Sequence, residues 1–565
     1  MEPKSPSKLK LSITGFTWYK RVLKTSIIVL VVVLLLVGVY FAFSPGKGQS
    51  VFKESYFSVV VDCGSSGTRV NVYEWMSEGE SNVKFPLLLH SYPDNTTKSS
   101  LWKNSCQYHC MQTEPGLDKF VGNSSGVRVS LEPLILWAEQ VVPRERHSDT
   151  PILVLGTAGL RRLAIDNARQ VLEDVEAVVK EHTFLFRKNW IRVLSGKEEA
   201  YYGWVALNYK MGRFGNYSKS PTLGLIDLGG SSLQVVMEID DAREDTHLVR
   251  SKIGSKEHRI LAYSLPAFGL NEAFDRSVVM LSQVQWFKEN THNTLEVRHP
   301  CLGSDFVQNY SCSGCLGLNS SYQKIFSGQT WNAEFPSLHL VGEPNWELCE
   351  GLAKAAAINS SSLDWSQPTV GTNCKAGSSS YGGGDFINLT AAAYPSARFH
   401  ALSGFYAVYK VLNLNPRANF TKIWEEGQQL CSRSWANLSS ISRNQKYAGQ
   451  YCFHVPYMAS LIKDSLCLGD KEIIFGPGDV SWTLGAALVE GEQLLFRTTK
   501  TETSISTLKN MSIVSSPVVL FVLLLCLLFI IYRCQIKLPM PSRNSSAAAG
   551  VSLPSYVAHS KRRPN

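Results

Sequence analysis

Two stretches of the chain share one pattern of apolar and polar positions. In each, a largely apolar run, at 57–61 or 223–226, is followed by an aspartate, a segment of glycine and serine, and a second strand-like run. This order of strand, tight turn and strand predicts a β-hairpin in both places. We name the polar segments loop 1 (62–69) and loop 2 (227–234).

Elsewhere the spacing of apolar residues predicts alternating helices and strands. Helical spacing marks the ranges 130–142, 163–181, 271–283, 398–412, 419–431 and 451–466, and short apolar runs mark strands at 152–155 and 190–194. The alternation predicts an α/β fold. The polar, cysteine-containing stretches 77–125 and 300–380 are expected to be insertions at the surface.

The two longest apolar runs lie near the chain ends, at 26–43 and 514–532, and each is long enough to span a membrane. A cleaved signal peptide is the alternative for the first, although its apolar core is longer than a signal peptide needs. The net charge of +9 resides in the tails: residues 1–25 hold six basic side chains and one acid, and residues 533–565 hold six basic and no acid. The positive-inside rule therefore predicts cytosolic tails and an extracytosolic middle. A nucleic-acid-binding function loses its main support.

Sequons and cysteines also favour the secretory pathway for the segment between these runs. Ten Asn-x-Ser/Thr sequons and eleven cysteines lie there. Cys63 belongs to loop 1, so ten cysteines remain for disulfides, and a local Cys106–Cys110 bridge is one option. Cys312-x-x-Cys315 could be half of a zinc site, but no second pair completes it, and disulfides are favoured.

Loops 1 and 2 have the composition of an anion-binding turn. Glycines allow close approach of a ligand, successive N–H groups form a concavity, and hydroxyl groups add donors. Asp62 and Asp227 lie at strand ends and are hard oxygen ligands suited to Ca²⁺ or Mg²⁺, directly or through water. One such loop is also a common hairpin turn, but two copies predict a clamp for a phosphate chain. The residues expected to bind phosphate are Gly64, Ser65, Ser66, Gly67, Thr68, Arg69, Gly229, Gly230, Ser231 and Ser232.

The paired loops resemble the phosphate loops of the actin/Hsp70/hexokinase superfamily. Three further motifs, in matching order, resemble its apyrase branch, the ecto-nucleoside triphosphate diphosphohydrolases: 156–161, 195–204 and 482–485. The resemblance covers roughly residues 55–490, and the sequence after loop 1 is most similar to plant-type membrane-bound apyrases.

This resemblance implies a two-lobed ectodomain made of duplicated RNase H-like halves, flanked by two transmembrane helices. Lobe I is expected over 44–217 with loop 1, and lobe II over 218–489 with loop 2 and a disulfide-rich insertion. Residues 490–513 then lead back to the membrane. The family also implies a Cys431–Cys452 disulfide.

The resemblance further implies catalytic roles. Glu199, the second acid of the Glu198-Glu199 pair, is the expected general base, although from the residues alone either acid could be a solvated surface side chain. Thr157 is expected to hold the attacking water or a phosphate oxygen, with a plain helix cap as the alternative. Gln234 is expected beside the cation and its water.

For the nucleobase, Tyr406 and Tyr447 match the family's stacking pair by position. Trp482 matches a tryptophan beside the active site. Core packing is the alternative for each of the three.

The leading prediction is a membrane-bound apyrase that hydrolyses nucleoside tri- and diphosphates outside the cytosol, with Ca²⁺ or Mg²⁺, by direct attack of water. A lumenal Golgi diphosphatase acting on GDP and UDP would use the same chemistry. A non-catalytic nucleotide receptor and a sugar kinase are further alternatives, and the complete set of Asp62, Glu199, Asp227 and Gln234 argues against the receptor. The membrane spans could also support a homo-oligomer.

Overall fold

The structure is a computed structural model. It describes residues 55–491, apart from 77–85, 95–110, 215–219, 241–244, 254–255, 287–294, 311–337, 359–397, 418 and 433–448, together with Leu525 and Phe529. Tyr447, the Cys106–Cys110 and Cys312–Cys315 pairs, and both predicted spans except those two residues lie outside this set. Among the described helices, none combines the length and the apolarity that crossing a bilayer requires.

The first sheet carries loop 1. Its strands are β1 (Ser55–Cys63), β2 (Thr68–Met76), β3 (Leu87–Tyr92), β4 (Gln112–Thr113), β5 (Ile152–Gly156) and β6 (Ile191–Val193). β1 and β2 form the predicted antiparallel hairpin, while β5 pairs with β1 and β6 with β5 in parallel. The order is β3-β2-β1-β5-β6, with β4 paired to β2.

The second sheet carries loop 2 and repeats this arrangement. Its strands are β7 (Gly224–Leu228), β8 (Ser232–Glu238), β9 (Leu248–Ile253), β10 (Lys256–Pro266), β14 (Arg398–Ser403) and β15 (Glu472–Phe475). β7 and β8 form the hairpin, β14 and β15 follow in parallel, and β10 extends β8 antiparallel, in the order β15-β14-β7-β8-β10-β9. From the hairpin outward, both sheets share order and strand direction, as a duplicated, actin-like α/β fold requires.

Helices cover both sheets and enclose two hydrophobic cores. They are α1 (Ser124–Val141), α2 (Ala158–Arg161), α3 (Ile165–Val179), α4 (Gly196–Lys210), α5 (Leu270–Trp286), α6 (Trp346–Ile358), α7 (Gly404–Val411), α8 (Phe420–Cys431), α9 (Tyr451–Ser460) and α10 (482–491). A small third sheet joins β11 (Leu295–His299), β12 (Val307–Tyr310) and β13 (Leu338–Gly342). α3 illustrates the sequence logic: Val171, Val175 and Val178 share one buried face at helical spacing.

α4 leaves the first sheet and packs on the second. It begins just after β6 with Ser195 as its cap, in a capping box with Glu198. Its glycines then allow close contact with the second sheet. A Cβ on Gly196 would lie 2.4 Å from the Ser264 Cβ, and a Cβ on Gly203 would lie 2.8 Å from Leu225 Cδ2. Substitution at either glycine would therefore push the helix off the sheet.

α10 brings the chain back to the first lobe. A Cβ on Gly485 would lie 1.9 Å from the Tyr202 carbonyl oxygen, so the backbones of α10 and α4 touch. Next to this contact, the hydroxyl groups of Thr483 and Tyr73 on β2 are hydrogen-bonded at 2.7 Å. α4 and α10 therefore tie the two sheets together beside the loops.

One predicted helix is wrong in its first half. Residues 398–412 form β14, in which Phe399, Ala401 and Leu402, together with His400, are buried beside β7, and only then the helix α7. Short apolar runs fit a buried strand as well as a helix, so periodicity alone did not separate them. Ser403, at φ 51°, makes the sharp turn between the two elements.

Two further boundaries differ from the predictions. α1 begins at Ser124 rather than Ser130, because Asn123 caps it by accepting a hydrogen bond from the Gly126 N–H. The stretches 77–125 and 300–380 were both expected to be surface insertions, but the first contains β3, which extends the first sheet, and the second contains β13 and α6, which pack into a hydrophobic core. The Cys431–Cys452 disulfide is confirmed, and Cys301–Cys349 is a second one.

A buried charge cluster stabilises the second sheet. Glu238 on β8 accepts hydrogen bonds from Thr222 Oγ1 at 2.5 Å, His258 Nδ1 at 2.9 Å and Lys256 Nζ at 3.0 Å. Burial alone would raise the pKa of Glu238, but these partners outweigh it and lower the pKa to about 2. The folded pKa lies below the ordinary 4.5, so the carboxylate stabilises the fold above that pH.

We expect Glu238→Gln to lower the unfolding free energy at pH 7 by roughly 2–3 kcal/mol. The difference from the natural protein should shrink as the pH falls from 4.5 towards 2, because the natural carboxylate then becomes protonated too. Thermal unfolding followed by circular dichroism at several pH values measures this. Glu257→Gln, at an exposed acid on the neighbouring strand β10, is the control and should change little. A difference between Glu238→Gln and the natural protein that is independent of pH would contradict this account.

Candidate active site

Asp62 and Asp227 occupy equivalent places in the two sheets. Each lies near the end of the first strand of its hairpin, where Asp62 faces Arg69 and Asp227 faces Gln234 across the strand pair. The aspartates are 7% and 8% exposed, respectively. The duplicated fold therefore places two buried carboxylates at related positions, as predicted.

The two loops face each other. A hydrogen bond from the Gly64 N–H to the Gly67 carbonyl closes loop 1, and one from the Gly229 N–H to the Ser232 carbonyl closes loop 2. A Cβ on Gly230 would lie 3.3 Å from Ser65 Oγ. The tips of the loops are thus close enough to contact one phosphate chain from both sides.

The side chain of Arg69 stabilises loop 1 through three hydrogen bonds. Its guanidinium donates to Gln112 Oε1 at 2.9 Å, to Ser66 Oγ at 3.3 Å and to Asp62 Oδ2 at 3.4 Å. Thr68, also predicted to bind phosphate, is fully buried, and its hydroxyl has no partner among the described residues. Arg69 therefore holds the loop and its aspartate together.

The two adjacent acids of α4 have different surroundings. Glu198 accepts hydrogen bonds from Ser195 and pairs with Arg192 at 2.7 Å, which makes it a helix-capping residue. Glu199 is largely enclosed, with 11% of its side chain exposed, and accepts a 2.7 Å hydrogen bond from Arg161 Nη1. Since Glu199 also acts electrostatically on Asp62 and Asp227, it belongs with the two loops.

Burial controls the charge of this trio of carboxyl groups. It raises the pKa of Asp62 to about 6 against the opposing effect of Arg69, and raises the pKa of Asp227 to about 6. It also raises the pKa of Glu199, although Arg161 lowers it. The negative charge of Glu199 raises the pKa of each aspartate further. A positive ion among these groups would relieve their mutual repulsion.

The donors present suit a hard divalent cation. Asp62 Oδ1 is buried and has no hydrogen-bond partner in the described part of the chain, so one ligand oxygen is available. No cluster of three or more His, Cys, Asp or Glu side chains that could hold a metal occurs among the described residues. Ca²⁺ or Mg²⁺ held by Asp62, Asp227, waters and substrate phosphates fits this donor set, because Mg²⁺ in particular keeps waters when it binds phosphates.

Thr157 and Gln234 flank the trio. Thr157 precedes α2 but makes no side-chain cap, and its backbone N–H donates to the Cys63 carbonyl of loop 1 at 3.2 Å. The plain-cap interpretation of Thr157 therefore fails. Gln234 Nε2 donates to Ser232 Oγ at 2.8 Å and to Ser264 Oγ at 3.2 Å, which fixes its side chain beside loop 2.

Two adjacent arginines, Arg161 and Arg162, cross between the lobes, and the sequence patterns predicted no role for either. Arg161 Nη1 bonds Glu199 and the Leu194 carbonyl, and its Nη2 reaches Ser232 Oγ at 3.5 Å. Arg162 pairs with Glu272 on α5, which in turn accepts from Ser231 Oγ at 3.2 Å. Arg161 lies inside a recognised motif, which was a usable signal.

Glu272 gave no such signal, because its partners are far away in the sequence. The sequence patterns gave no indication of a role for Ser264 either, because its partner Gln234 is also distant in the sequence.

The three candidate nucleobase residues differ in what the structure shows of them. The Tyr406 ring is half-buried against a glycine turn, where a Cβ on Gly478 would lie 2.3 Å from its Cε1, and Lys410 Nζ lies 5.9 Å from its centre. Trp482 is 7% exposed and starts α10, near Gly203 of α4. Its packing is that of a core residue. Tyr447 lies outside the described residues, so its role stays a prediction.

Comparison with known proteins agrees with this geometry. Probable apyrase 7 of Arabidopsis thaliana is 35% identical over 520 residues, which cover 89% of this chain and 67% of that protein. Nucleoside-diphosphatase mig-23 of Caenorhabditis elegans is 23% identical over 474 residues, 77% of each chain. The crystal structure of nucleoside triphosphate hydrolases from Neospora caninum matches 79% of this chain and 93% of its own, with a TM-score of 0.51 and 14% identity, which shows a shared fold.

A match to a protein-family model also shows what the chain is related to. The GDA1/CD39 (nucleoside phosphatase) model matches residues 49–506, a range that holds both loops, Glu199 and the helix that returns to the first lobe. With the paired loops, the carboxyl trio and this match over residues 49–506, the chain belongs to the GDA1/CD39 family of nucleoside phosphatases.

Proposed function

We propose that this protein is a divalent-cation-dependent apyrase that hydrolyses nucleoside tri- and diphosphates to the monophosphate and phosphate. Family membership makes it a nucleoside-triphosphate diphosphohydrolase. The finer proposal rests on one observation: loops from two lobes face each other, with Asp62, Asp227 and Glu199 electrostatically coupled between them.

The loops bind and orient the phosphates. Their backbone N–H groups and the hydroxyls of Ser65 and Ser66, with those of Ser231 and Ser232, are the donors for the phosphate oxygens. Asp62 and Asp227 hold Ca²⁺ or Mg²⁺ through oxygen and water. When bound, this ion neutralises negative charge on the phosphates. Opposed loops fix the terminal phosphate in place, and positioning supplies much of the catalysis of phosphoryl transfer.

Glu199 activates the attacking water. Its carboxylate accepts a proton as water attacks the terminal phosphorus, so it must be ionised before the reaction. Arg161 favours that ionised form at 2.7 Å. Thr157 and Gln234 hold the water or a phosphate oxygen from two sides, and no covalent phosphoenzyme is required.

Two transmembrane helices, at 26–43 and 514–532, anchor the enzyme in this proposal, with both tails cytosolic. The sequons within the described part of the chain support an extracytosolic ectodomain, because Asn123, Asn309 and Asn419 are all exposed. Such positions are accessible to glycosylation. The plasma membrane is the proposed location, and association through the spans could yield a homo-oligomer.

A Golgi diphosphatase is the second candidate. The Caenorhabditis elegans relative is named a nucleoside-diphosphatase, and the same loops and base would serve GDP and UDP. Relative rates on ATP, ADP, GDP and UDP, together with surface labelling of the intact cell, separate the two. Strong preference for GDP and UDP with no surface pool would favour the Golgi enzyme.

We expect Glu199→Gln to lower kcat at least about 100-fold, because the general base is lost while the binding loops are unchanged. Phosphate release from ATP and ADP by the detergent-solubilised protein, with Ca²⁺, Mg²⁺ or EDTA, measures it. Glu198→Gln is the matched control: it loses the ion pair with Arg192, keeps a side chain that suits the capping box, and should retain activity. Equal release by Glu199→Gln and the natural protein would refute this base, and nucleotide binding without any turnover in the natural protein would favour a receptor.

We expect Arg161→Gln to move the acidic limb of the kcat/KM pH profile to higher pH. Arg161 lowers the pKa of Glu199, so its removal raises that pKa and a higher pH is needed to ionise the base. Arg162→Gln is the matched control, because the neighbouring side chain pairs with Glu272 and not with Glu199. An unshifted limb in Arg161→Gln, or an equal shift in both variants, would argue against this role.

We expect Tyr406→Ala to raise KM for ATP about tenfold with little change in kcat, through lost base stacking. Tyr406→Phe keeps the ring and should behave like the natural protein. Inorganic tripolyphosphate, which lacks a base, provides the internal control, since its hydrolysis should be unaffected. Loss of activity on tripolyphosphate as well would show that Tyr406 supports the fold rather than the nucleobase.

A further inference from the structure

Loop 2 is held from behind by the segment that joins β10 to α5. Three consecutive carbonyl groups of the loop accept hydrogen bonds from this segment. The donors are the N–H groups of Leu270 to Gly229 at 3.0 Å, of Asn271 to Gly230 at 2.9 Å, and of Ala267 to Ser231 at 3.0 Å. In a planar trans peptide the C=O and N–H groups point in opposite directions. The N–H groups of Gly230 and Ser231 are therefore directed away from the segment.

The segment lies against the loop, backbone on backbone. A Cβ on Gly269 would lie 2.3 Å from the carbonyl carbon of Gly230 and 2.3 Å from the Ser231 nitrogen, so only glycine fits there. Two residues earlier, Ala267 has φ 66°, a left-handed conformation that alanine rarely adopts. We name residues 267–269 the backing turn. Because Ala267 disfavours this conformation, the surrounding structure must hold the turn in place.

Two buried side chains from the second hydrophobic core hold the backing turn. Arg276 of α5 donates to the carbonyl oxygens of Ala267 and of Ala356 on α6, and its guanidinium lies 5.4 Å from the centre of the Phe268 ring. Tyr457 of α9 donates its hydroxyl hydrogen to the Phe268 carbonyl at 2.6 Å. Both side chains are largely shielded from solvent. Three helices are thereby connected to two carbonyl groups of the turn.

We propose that Arg276 and Tyr457 are positioning residues for phosphate binding. They hold the backing turn, and the turn holds the carbonyl groups of loop 2 back and its N–H groups forward. Neither side chain needs to touch the substrate. The inference rests on the proposed function, since it takes loop 2 to bind phosphate. Donors that are already oriented bind an anion without first being ordered, so loss of this hold weakens binding of any phosphate chain, whatever its base.

Amide hydrogen exchange of the full-length, detergent-solubilised protein tests the hold itself and needs no nucleotide. Tyr457→Phe removes one hydroxyl group and keeps the ring. We expect exchange at residues 267, 270 and 271 to become about tenfold faster, because opening of the turn costs less free energy. Arg276→Lys should have a larger effect, since a lysine cannot bond two carbonyl groups and stack on a ring as arginine does. Exchange at 62–69, in loop 1, should not change.

Tyr409→Phe is the matched control. It also removes a buried tyrosine hydroxyl from the second lobe, but that hydroxyl has no hydrogen-bond partner in the described part of the chain. Exchange in the backing turn should stay at its natural rate in this variant.

Kinetics with ATP and with inorganic tripolyphosphate test the consequence for binding. Tyr457→Phe should raise KM about tenfold for both substrates and change kcat by less than about twofold, because oriented donors in loop 2 are lost while Glu199 is untouched. The acidic limb of the pH profile should stay in place. A hydroxyl that only stabilised the core would lower the Tm without changing KM.

Ala267→Gly provides a rescue. Glycine adopts positive φ without the steric penalty that alanine has, so the turn keeps its shape with fewer contacts. Added to Tyr457→Phe, this substitution should lower the raised KM by about threefold. A defect elsewhere in the core would not respond to a change at residue 267.

Three results would overturn the inference. The first is natural exchange in the backing turn of both Tyr457→Phe and Arg276→Lys. The second is faster exchange with an unchanged KM for both substrates, and the third is a KM that rises for ATP alone. If the natural protein hydrolyses neither substrate, the proposed function fails instead, and the Kd of tripolyphosphate measured by calorimetry replaces KM in deciding the role of the two side chains.

Discussion

Mutual repulsion among three buried carboxyl groups is the constraint on which this structure depends. Burial raises the pKa of Asp62, Asp227 and Glu199, and Glu199 adds to the effect on both aspartates. Arg69 and Arg161 offset part of the charge at contact distance. The remaining negative charge suits a divalent ion that arrives with phosphate, since buried charges require partners. Two rigid sheets hold these groups together against their repulsion.

Duplication explains how one chain assembles such a site. Each sheet ends the first strand of its hairpin with an aspartate and turns through glycine and serine, so one solution to phosphate binding is used twice. The copies then diverged in their partners. Arg69 pairs with Asp62 in the first, while Gln234 stands opposite Asp227 in the second and is held by two serines. The first copy therefore places a cation beside its aspartate, and the second places a neutral amide there.

The local sequence pattern was sufficient to predict part of this site. The hairpins and their aspartates follow from apolar runs interrupted by Asp and Gly, because strand pairing and turn chemistry are short-range properties. The choice of Glu199 over Glu198 came only from family resemblance, since it depends on which acid is capped and which is buried. Contacts such as Arg162 with Glu272 join residues 110 positions apart and leave no local trace. The misassigned strand at 398–403 failed for another reason: a fully buried run loses the periodicity that separates strand from helix.

α4 joins the two lobes at the candidate site. Its body packs on the second sheet, whereas Arg161, whose charge lowers the pKa of Glu199 at the start of α4, lies in the short helix α2 that follows β5 of the first sheet. A relative movement of the lobes by about 1 Å would stretch their 2.7 Å contact beyond hydrogen-bonding range. The carboxyl group would then revert towards its protonated form in the buried site. In the proposed mechanism, the ionisation of Glu199 therefore depends on how closely α2 and α4 are held together.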